Sequence, residues 1–167
     1  MIYKIKKKIF SYILSPEKYA KYIGVNLGER CRLNNKISFG SEPYLITIGD
    51  DFYCSSNISF ITHDGSVNVF RNIYPEYKNA GIFSPISLGK NVFLGYGVTV
   101  LAGSIIGNNT IVGANSTVKG ILESNSVYAG TPARYICSID EYLNKTKNDF
   151  IYVSGEKEKY LREYFNL

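Results

Sequence analysis

Histidine is scarce in this 167-residue chain, which contains a single one, His63. A zinc site built from two or three histidines is therefore excluded. The three cysteines are an odd number without a CxxC spacing, which rules out a zinc finger and favours a reduced, cytoplasmic protein. We expect no metal in this protein.

Long apolar runs are also missing, so we expect no segment to span a bilayer as a helix. The first residues lack the apolar stretch and cleavage site of a secretory signal peptide, which again favours the cytoplasm. A chain of 167 residues with 45% hydrophobic and 20% charged residues is typical of one globular domain. The net charge of +5 allows an anionic partner but does not name one.

A six-residue repeat occupies the second half of the chain. Aliphatic residues recur at every sixth position, at Leu88, Leu94, Val100, Ile106, Val112 and Val118. A helix does not have this period, whereas short strands joined by regular turns do. The pattern predicts a solenoid in which each unit points one aliphatic side chain inward and stacked units share a core.

A weaker stretch of the same repeat, around Ile48 and Phe60, is out of phase with the later block. We therefore expect a loop to leave the solenoid at about residues 64–85, a segment rich in polar and aromatic residues. A long excursion from a regular repeat is more often functional than accidental.

Both ends of the chain have the patterns of helices. Ile2, Ile5, Ile9 and Ile13 recur at helical spacing, and Ser15-Pro16 begins a second helix. Four lysines, Lys4, Lys6, Lys7 and Lys8, suit a peripheral contact with anionic lipid, with a solvated helix face as the alternative. The predicted division is a helical segment at 1–22, a solenoid at 23–137 and a C-terminal helical extension at 138–167. The last helix, from residue 156, is expected to cap the open end of the stack.

Two motifs accompany the repeat: His63-Asp64 ahead of the loop, and the run Ala129-Gly-Thr-Pro-Ala-Arg at its end. With the stretch that begins at Ile86, they resemble the hexapeptide-repeat acyltransferases, over about residues 23–137. The chain is most similar to the small O-acetyltransferases of bacterial surface polysaccharides. The resemblance implies an all-β fold, a left-handed parallel β-helix with short N-terminal and C-terminal helices. It also implies acetyl-CoA as donor and a homotrimer with each active site between two subunits.

The resemblance implies that His63 is catalytic, because it matches the family's His-Asp pair. Acetyl transfer to a hydroxyl needs a base that takes the proton as the oxygen attacks the thioester, and histidine as a residue type titrates near neutral pH. We expect direct transfer without a covalent acetyl-enzyme, since no activated serine or cysteine is apparent near His63 in the sequence. Cys54 falls at an inward position of the repeat and is expected in the core.

Five residues are candidates for binding the acceptor: Asp64, Asn57, Glu42, Arg71 and Phe93. Asp64 orients the acceptor or a neighbouring turn, and Asn57 holds the acceptor or is an ordinary solenoid-turn residue. Glu42 lies one coil earlier and is placed to face the sugar. Arg71 binds a sugar carboxylate or is solvated, and Phe93 stands where related enzymes often carry tryptophan near the acceptor.

On the donor side, the resemblance implies that four residues line the groove for pantetheine: Gly95, Tyr96, Gly113 and Ala114. Lys119 and Arg134 are expected to reach the phosphates of coenzyme A, which cationic side chains suit. The family's usual Thr-Lys pair is shifted here by one place, to Lys119-Gly120.

Three alternatives share the solenoid. A γ-class carbonic anhydrase needs three histidine ligands and is excluded. A non-enzymatic scaffold would make no special use of His63, and the intact cofactor-end motif argues against it. The alternative of an antibiotic or amino-sugar acetyltransferase of the same fold is not excluded by the sequence.

Because no base-reading module accompanies the basic residues, we expect no nucleic-acid partner. The predicted function is O-acetylation of a sugar hydroxyl in a surface polysaccharide or its precursor.

Overall fold

The computed structural model describes residues 10–34 and 36–167. The helical spacing of Ile2, Ile5 and Ile9 and the four N-terminal lysines lie outside these residues. Helix α1 (Pro16–Ile23) begins as the sequence predicts, because the Ser15 hydroxyl accepts a hydrogen bond from the Lys18 N–H. It buries Ala20 against the first coil and so covers that end of the core.

The described residues form three sheets of short strands, which are the sides of a prism. The first sheet contains β1 (Asn26–Leu27), β3 (Ile46–Ile48), β6 (Ile86–Leu88), β9 (Ile105–Ile106) and β12 (Ile121–Leu122). The second contains β4 (Tyr53–Cys54), β7 (Val92–Leu94), β10 (Thr110–Val112), β13 (Ser126–Ala129) and β14 (Arg134–Ser138). The third contains β2 (Ile37–Ser38), β5 (Ile58–Ile61), β8 (Thr99–Leu101) and β11 (Thr117–Val118).

From β3 to β11 the chain visits the three sheets in turn, so each circuit of three strands is one coil of a parallel β-helix. Neighbouring coils pair in parallel and in register, as Tyr53 does with Phe93 and Phe93 with Ile111. All six aliphatic residues of the six-residue repeat are buried, as is Cys54, which confirms both predictions. One coil cannot bury these side chains alone, so the stack is the folding unit.

Residues in the left-handed conformation turn the chain between sheets. Asn91, Asn109 and Asn125 occupy equivalent corners with φ near +55°. Their side-chain amides hydrogen-bond along the stack, from Asn91 to Asn109 at 2.9 Å and from Asn109 to Asn125 at 2.8 Å. Asparagine tolerates this conformation better than other residues with a Cβ, which explains the Asn-rich turns.

The loop excursion lies between β5 and β6 and contains helix α2 (Val67–Ile73) and a 3-10 turn at Pro75–Tyr77. Two backbone hydrogen bonds join the ends of the excursion where it leaves and re-enters the solenoid. The Asp64 N–H donates to the Ile82 carbonyl at 3.0 Å, and the Ser84 N–H donates to the Thr62 carbonyl at 2.9 Å. The excursion therefore returns to the solenoid beside the point where it leaves.

The C-terminal end differs from the sequence prediction in two respects. Strand β14 turns back and pairs antiparallel with β13, and this hairpin buries Val127, Tyr128 and Cys137. Helix α3 (Ile139–Thr146) follows, with the predicted Ser138 cap. Helix α4 (Lys157–Phe165) buries none of its residues, so the expectation that it caps the stack is wrong. None of the described helices is long and apolar enough to cross a membrane.

Candidate active site

His63 stands where the excursion leaves β5, at the corner between the third and first sheets. Thr62 before it is fully buried, whereas the His63 side chain is 41% exposed and faces a cavity of about 300 Å³. Glu42, Asp64, Arg71 and Phe83 are among the residues that line this cavity. The structure thus brings together four of the six residues predicted for catalysis and acceptor binding.

Glu42 contacts the imidazole directly. Its Oε2 lies 2.9 Å from Nδ1 of His63 and accepts a hydrogen bond from the Thr62 hydroxyl at 2.7 Å. The Thr62 hydroxyl, with a smaller contribution from His63, lowers the pKa of the Glu42 carboxyl. An ionised carboxylate accepts from Nδ1–H, which leaves the lone pair of Nε2 for another group. The position of Glu42 is therefore that of a group that orients the histidine.

Asp64 and Arg71 hold the excursion in place. Asp64 Oδ1 accepts a hydrogen bond from the Ser66 N–H at 2.8 Å, which lowers the pKa of Asp64, and the charge of Lys119 contributes less. Arg71 donates from Nε to the Ala80 carbonyl at 2.7 Å, with a second bond from Nη2 to the same oxygen. Its Nη1 donates to Asn68 at 3.0 Å. The Arg71 guanidinium is thus largely committed to the loop itself.

Asn57 lies away from His63, at the corner between the second and third sheets. Its φ of +62° is the left-handed turn conformation that Asn115 shares, and its side-chain amide donates to the Tyr96 hydroxyl. Gly95 and Ala114 stack at this same corner in successive coils. A Cβ added at Gly95 would lie 2.6 Å from the Ala114 backbone nitrogen, so this close approach requires glycine.

The remaining predicted residues lie on other parts of the prism. Phe93 points outward from the second sheet, with its ring 5.4 Å from the Tyr53 ring between centroids. Lys119 follows β11, at the His63 corner, and Arg134 begins β14 opposite Ala129. Gly113 immediately precedes Ala114 at the corner between the second and third sheets. We call this the donor corner, because the residues predicted to line the pantetheine groove (Gly95, Tyr96, Gly113 and Ala114) lie there.

Two separate edges of one protomer therefore carry the predicted site. His63 and Glu42 lie on one edge of the third sheet, and Gly95, Tyr96 and Ala114 lie on the other. The six-residue step from Asn57 to His63 crosses that sheet, which corresponds to about 20 Å of extended chain.

Sequence reasoning missed three contacts in this region: the Thr62 bond to Glu42, the Asn68 bond to Arg71, and Phe83 against the His63 ring at 6.2 Å. The one signal in the sequence was that Thr62 directly precedes His63. Because neighbouring side chains of a strand point to opposite sides, this adjacency did not predict that both would contact Glu42. Within residues 10–34 and 36–167, no group of three His, Cys, Asp or Glu side chains is placed to hold a metal ion.

Comparison with known proteins places this arrangement in a family. Residues 85–120 match the family described as bacterial transferase hexapeptide (six repeats). Protein CapG of Staphylococcus aureus is 40% identical over 168 residues, which cover 97% of this chain and 95% of CapG. The chain belongs to the hexapeptide-repeat acyltransferases. The predictions of family and enzyme class are confirmed, and the scaffold alternative is set aside.

Two further similarities bear on this acyltransferase. The putative lipopolysaccharide biosynthesis O-acetyl transferase WbbJ of Escherichia coli (strain K12) is 40% identical over 110 residues, 61% of the acyltransferase but only 53% of WbbJ. A solved galactoside acetyltransferase in complex with coenzyme A has a TM-score of 0.61 and 23% identity, covering 92% of the acyltransferase and 86% of that chain. This structural likeness confirms the predicted left-handed parallel β-helix with short terminal helices.

Proposed function

We propose that this acyltransferase uses acetyl-CoA to O-acetylate a sugar hydroxyl of a bacterial surface polysaccharide or its precursor. The observation that carries the proposal is the pairing of Nδ1 of His63 with Glu42 beside an open cavity. The named activity of WbbJ and the coenzyme A complex of the galactoside acetyltransferase support the acceptor and donor classes.

His63 acts as general base. Nε2 takes the proton of the acceptor hydroxyl while its oxygen attacks the thioester carbonyl. The tetrahedral intermediate then collapses, the carbon–sulfur bond breaks, and the imidazolium returns the proton to the coenzyme A thiolate. Glu42 favours this cycle because its negative charge stabilises the imidazolium and holds Nδ1 protonated.

The placement of the thiols supports direct transfer: Cys137 is buried, and partial burial raises the pKa of Cys31. Cys54 is buried in the core, and burial raises its pKa to about 11, so it is not an acetyl acceptor at neutral pH. The acceptor hydroxyl itself is then the nucleophile.

The active site forms between subunits of a homotrimer. His63 and the donor corner lie on opposite edges of one protomer, whereas the hydroxyl must touch the thioester carbon for reaction. A neighbouring subunit resolves this separation if its donor corner faces the His63 cavity. Pairing between subunits also brings Phe93 and Asn57 of one copy toward Asp64 of the other, where they contact the acceptor.

Coenzyme A lies along the donor corner. Gly95, Tyr96, Gly113 and Ala114 follow this corner through two coils, and the exposed Tyr96 and Ala114 line the path of the pantetheine chain. Arg134, exposed at the start of β14, binds a phosphate at the far end, and Lys119 of the partner subunit, which lies at the His63 corner, contributes a second cation.

The protein acts in the cytoplasm, in peripheral contact with anionic lipid. Lys4, Lys6, Lys7 and Lys8 supply the positive charge. At the described end of this segment, Tyr12 and Ile13 are exposed.

Release of thiol from acetyl-CoA, measured against a panel of sugars, tests the reaction. His63→Ala should lower kcat by about a hundredfold or more while coenzyme A still binds, and Asn72→Ala, on the exposed face of the same loop, should leave it unchanged. Amino sugars and hydroxylated antibiotics in the panel test the alternative acceptors. Equal activity of wild type and His63→Ala rejects the mechanism.

Subunit complementation tests the shared site. His63→Ala and Ala114→Phe should each be inactive, the second because a bulky side chain blocks the donor corner. In mixed trimers about a quarter of the sites would combine an intact His63 with an intact donor corner, and activity should return to that extent. No recovery in verified mixed trimers contradicts a site between subunits.

A further inference from the structure

The outward face of the second sheet carries an unusual row of side chains along the solenoid axis. Phe52 and Cys54 are buried, so Tyr53 between them points outward, and it is 53% exposed. Arg32 forms a parallel bridge with Tyr53 on one side, and Phe93 pairs in register with Tyr53 on the other. Arg32, Tyr53 and Phe93 therefore form one continuous strip, which we call the axial strip.

The axial strip ends in two aromatic rings. The ring centroids of Tyr53 and Phe93 are 5.4 Å apart, with the planes tilted by 38°. Such a pair presents a broad apolar surface whose edge also carries a hydroxyl. The C–H face of a sugar ring is a matching surface, because it is apolar while its hydroxyls point sideways.

Of the two arginines beside this surface, one is paired with a carboxylate of the described residues and the other is not. Arg30 donates two hydrogen bonds to Asp51, at 2.6 and 2.8 Å, so that carboxylate neutralises its charge. Arg32 makes no side-chain hydrogen bond or ion pair with any residue of the part of the chain that the structure describes. Both border a depression of about 480 Å³ that Tyr53 also lines. Arg32 is therefore the cation of this depression that still has its full capacity for an anion.

The height of Tyr53 in the axial strip matches that of the catalytic residue. Tyr53 on β4 and His63 after β5 belong to the same coil, whereas the donor corner residues Gly95 and Ala114 belong to the next two coils. In a trimer whose solenoids run parallel, residues of the same coil lie at the same height along the axis. Tyr53 of one subunit is thus level with the His63 cavity of its neighbour, and Arg32, one coil earlier, lies on the side away from the groove for coenzyme A.

We propose that the axial strip is a specificity site for an acceptor sugar that carries a carboxylate. The sugar ring rests on Tyr53 and Phe93, and Arg32 binds the carboxylate through its forked N–H donors. The assignment rests on the proposed function and its trimer. It places the acidic acceptor between the Arg32 of one subunit and the His63 of the next.

A pair of glycosides that differ only in the carboxylate tests this assignment. Methyl β-D-glucuronide and methyl β-D-glucoside would be compared as acceptors by kcat/KM, with acetyl-CoA as donor. Wild type should prefer the glucuronide by about tenfold or more, since hydrogen bonds to charged groups are the strong ones. Arg32→Ala should abolish this preference through a higher KM for the glucuronide, with the glucoside unaffected. Arg30→Ala is the matched control and should keep the preference.

The possible outcomes distinguish the role of Arg32 in the axial strip from the proposed O-acetyltransferase function. Transfer that depends on His63 but does not distinguish the two glycosides overturns the role of Arg32 alone. A preference that survives Arg32→Ala overturns it as well. If Arg32→Ala instead changes the trimer's mass by light scattering, the axial strip is a subunit contact and the proposal is wrong. If wild type transfers acetyl groups neither to the two glycosides nor to any sugar of the wider panel, the proposed function itself is contradicted.

Discussion

Glu42 Oε2 and His63 Nδ1 are 2.9 Å apart although the two residues are 21 positions apart in the sequence. They meet because the corner before β3 and the end of β5 lie in adjacent coils at the same edge of the prism. The Thr62 hydroxyl donates a hydrogen bond to the same carboxylate oxygen, at 2.7 Å. The imidazole is consequently oriented before any substrate arrives, which is the condition for an efficient general base.

Replacing Glu42 by glutamine tests this orientation. Glu42→Gln keeps the shape of the side chain but removes the charge that stabilises an imidazolium and the obligate acceptor for Nδ1–H. We expect kcat to fall by about a hundredfold with the KM for acetyl-CoA unchanged. Steady-state kinetics with saturating acceptor checks the result, and Glu76→Gln, exposed on the excursion, is the control. Full activity of Glu42→Gln would show that His63 needs no partner.

The lowered pKa of Glu42 also makes a prediction about stability. Its ionised form is favoured in the folded protein, so the stabilisation is complete well above the ordinary value of 4.5 and is lost as the pH falls through the lower folded pKa. Chemical unfolding at neutral pH and at about pH 3 should show a smaller pH-dependent loss of stability in Glu42→Gln than in wild type. Protein concentration must be equal in all samples because subunit association adds to stability. An identical loss in the two proteins contradicts the stabilising role of the Glu42 charge.

Arg71 should stabilise the loop excursion rather than supply positive charge to the cavity. Removing its bonds to the Ala80 carbonyl and Asn68 frees the excursion, and Arg71→Ala should speed hydrogen exchange in residues 64–85 without affecting the strands. Because the loop borders His63, we expect kcat to fall by about tenfold as well. Lys78→Ala, exposed in the same loop, serves as control. Unchanged exchange in Arg71→Ala would indicate that other contacts hold the loop.

The inward aliphatic residues should dominate stability. Leu94 is fully buried, and Leu94→Ala should lower the free energy of unfolding by about 2 to 5 kcal/mol, through lost burial and the cavity left behind. Leu143, on α3, is 46% exposed, and Leu143→Ala should cost less than about 1 kcal/mol. Urea unfolding of the two variants compares them directly. Equal losses would mean that α3 is buried in the assembled protein.

Much of the solenoid can be predicted from the sequence because its rule is local. Each buried aliphatic residue is six positions from the next, so the period, the inward side chains and the out-of-phase loop can all be counted along the chain. The Ser138 cap of α3 is equally local, since the cap and its partner Glu141 are three residues apart. The hairpin of β13 and β14 could not be predicted in this way, because β14 lacks the repeat and is held by pairing across a turn.

The sequence alone determined that this chain is a six-residue-repeat solenoid with one histidine at the start of its long loop. Only the tertiary structure decided which residues act with that histidine. Coil stacking brings Glu42 to His63 and leaves Asn57 and Tyr96 on the opposite edge of the third sheet. The fold of the excursion itself turns Arg71 onto the Ala80 carbonyl. The physical reason is that side-chain contacts at the corners depend on the register between coils. That register depends on the lengths of all the turns and loops between the contacting residues.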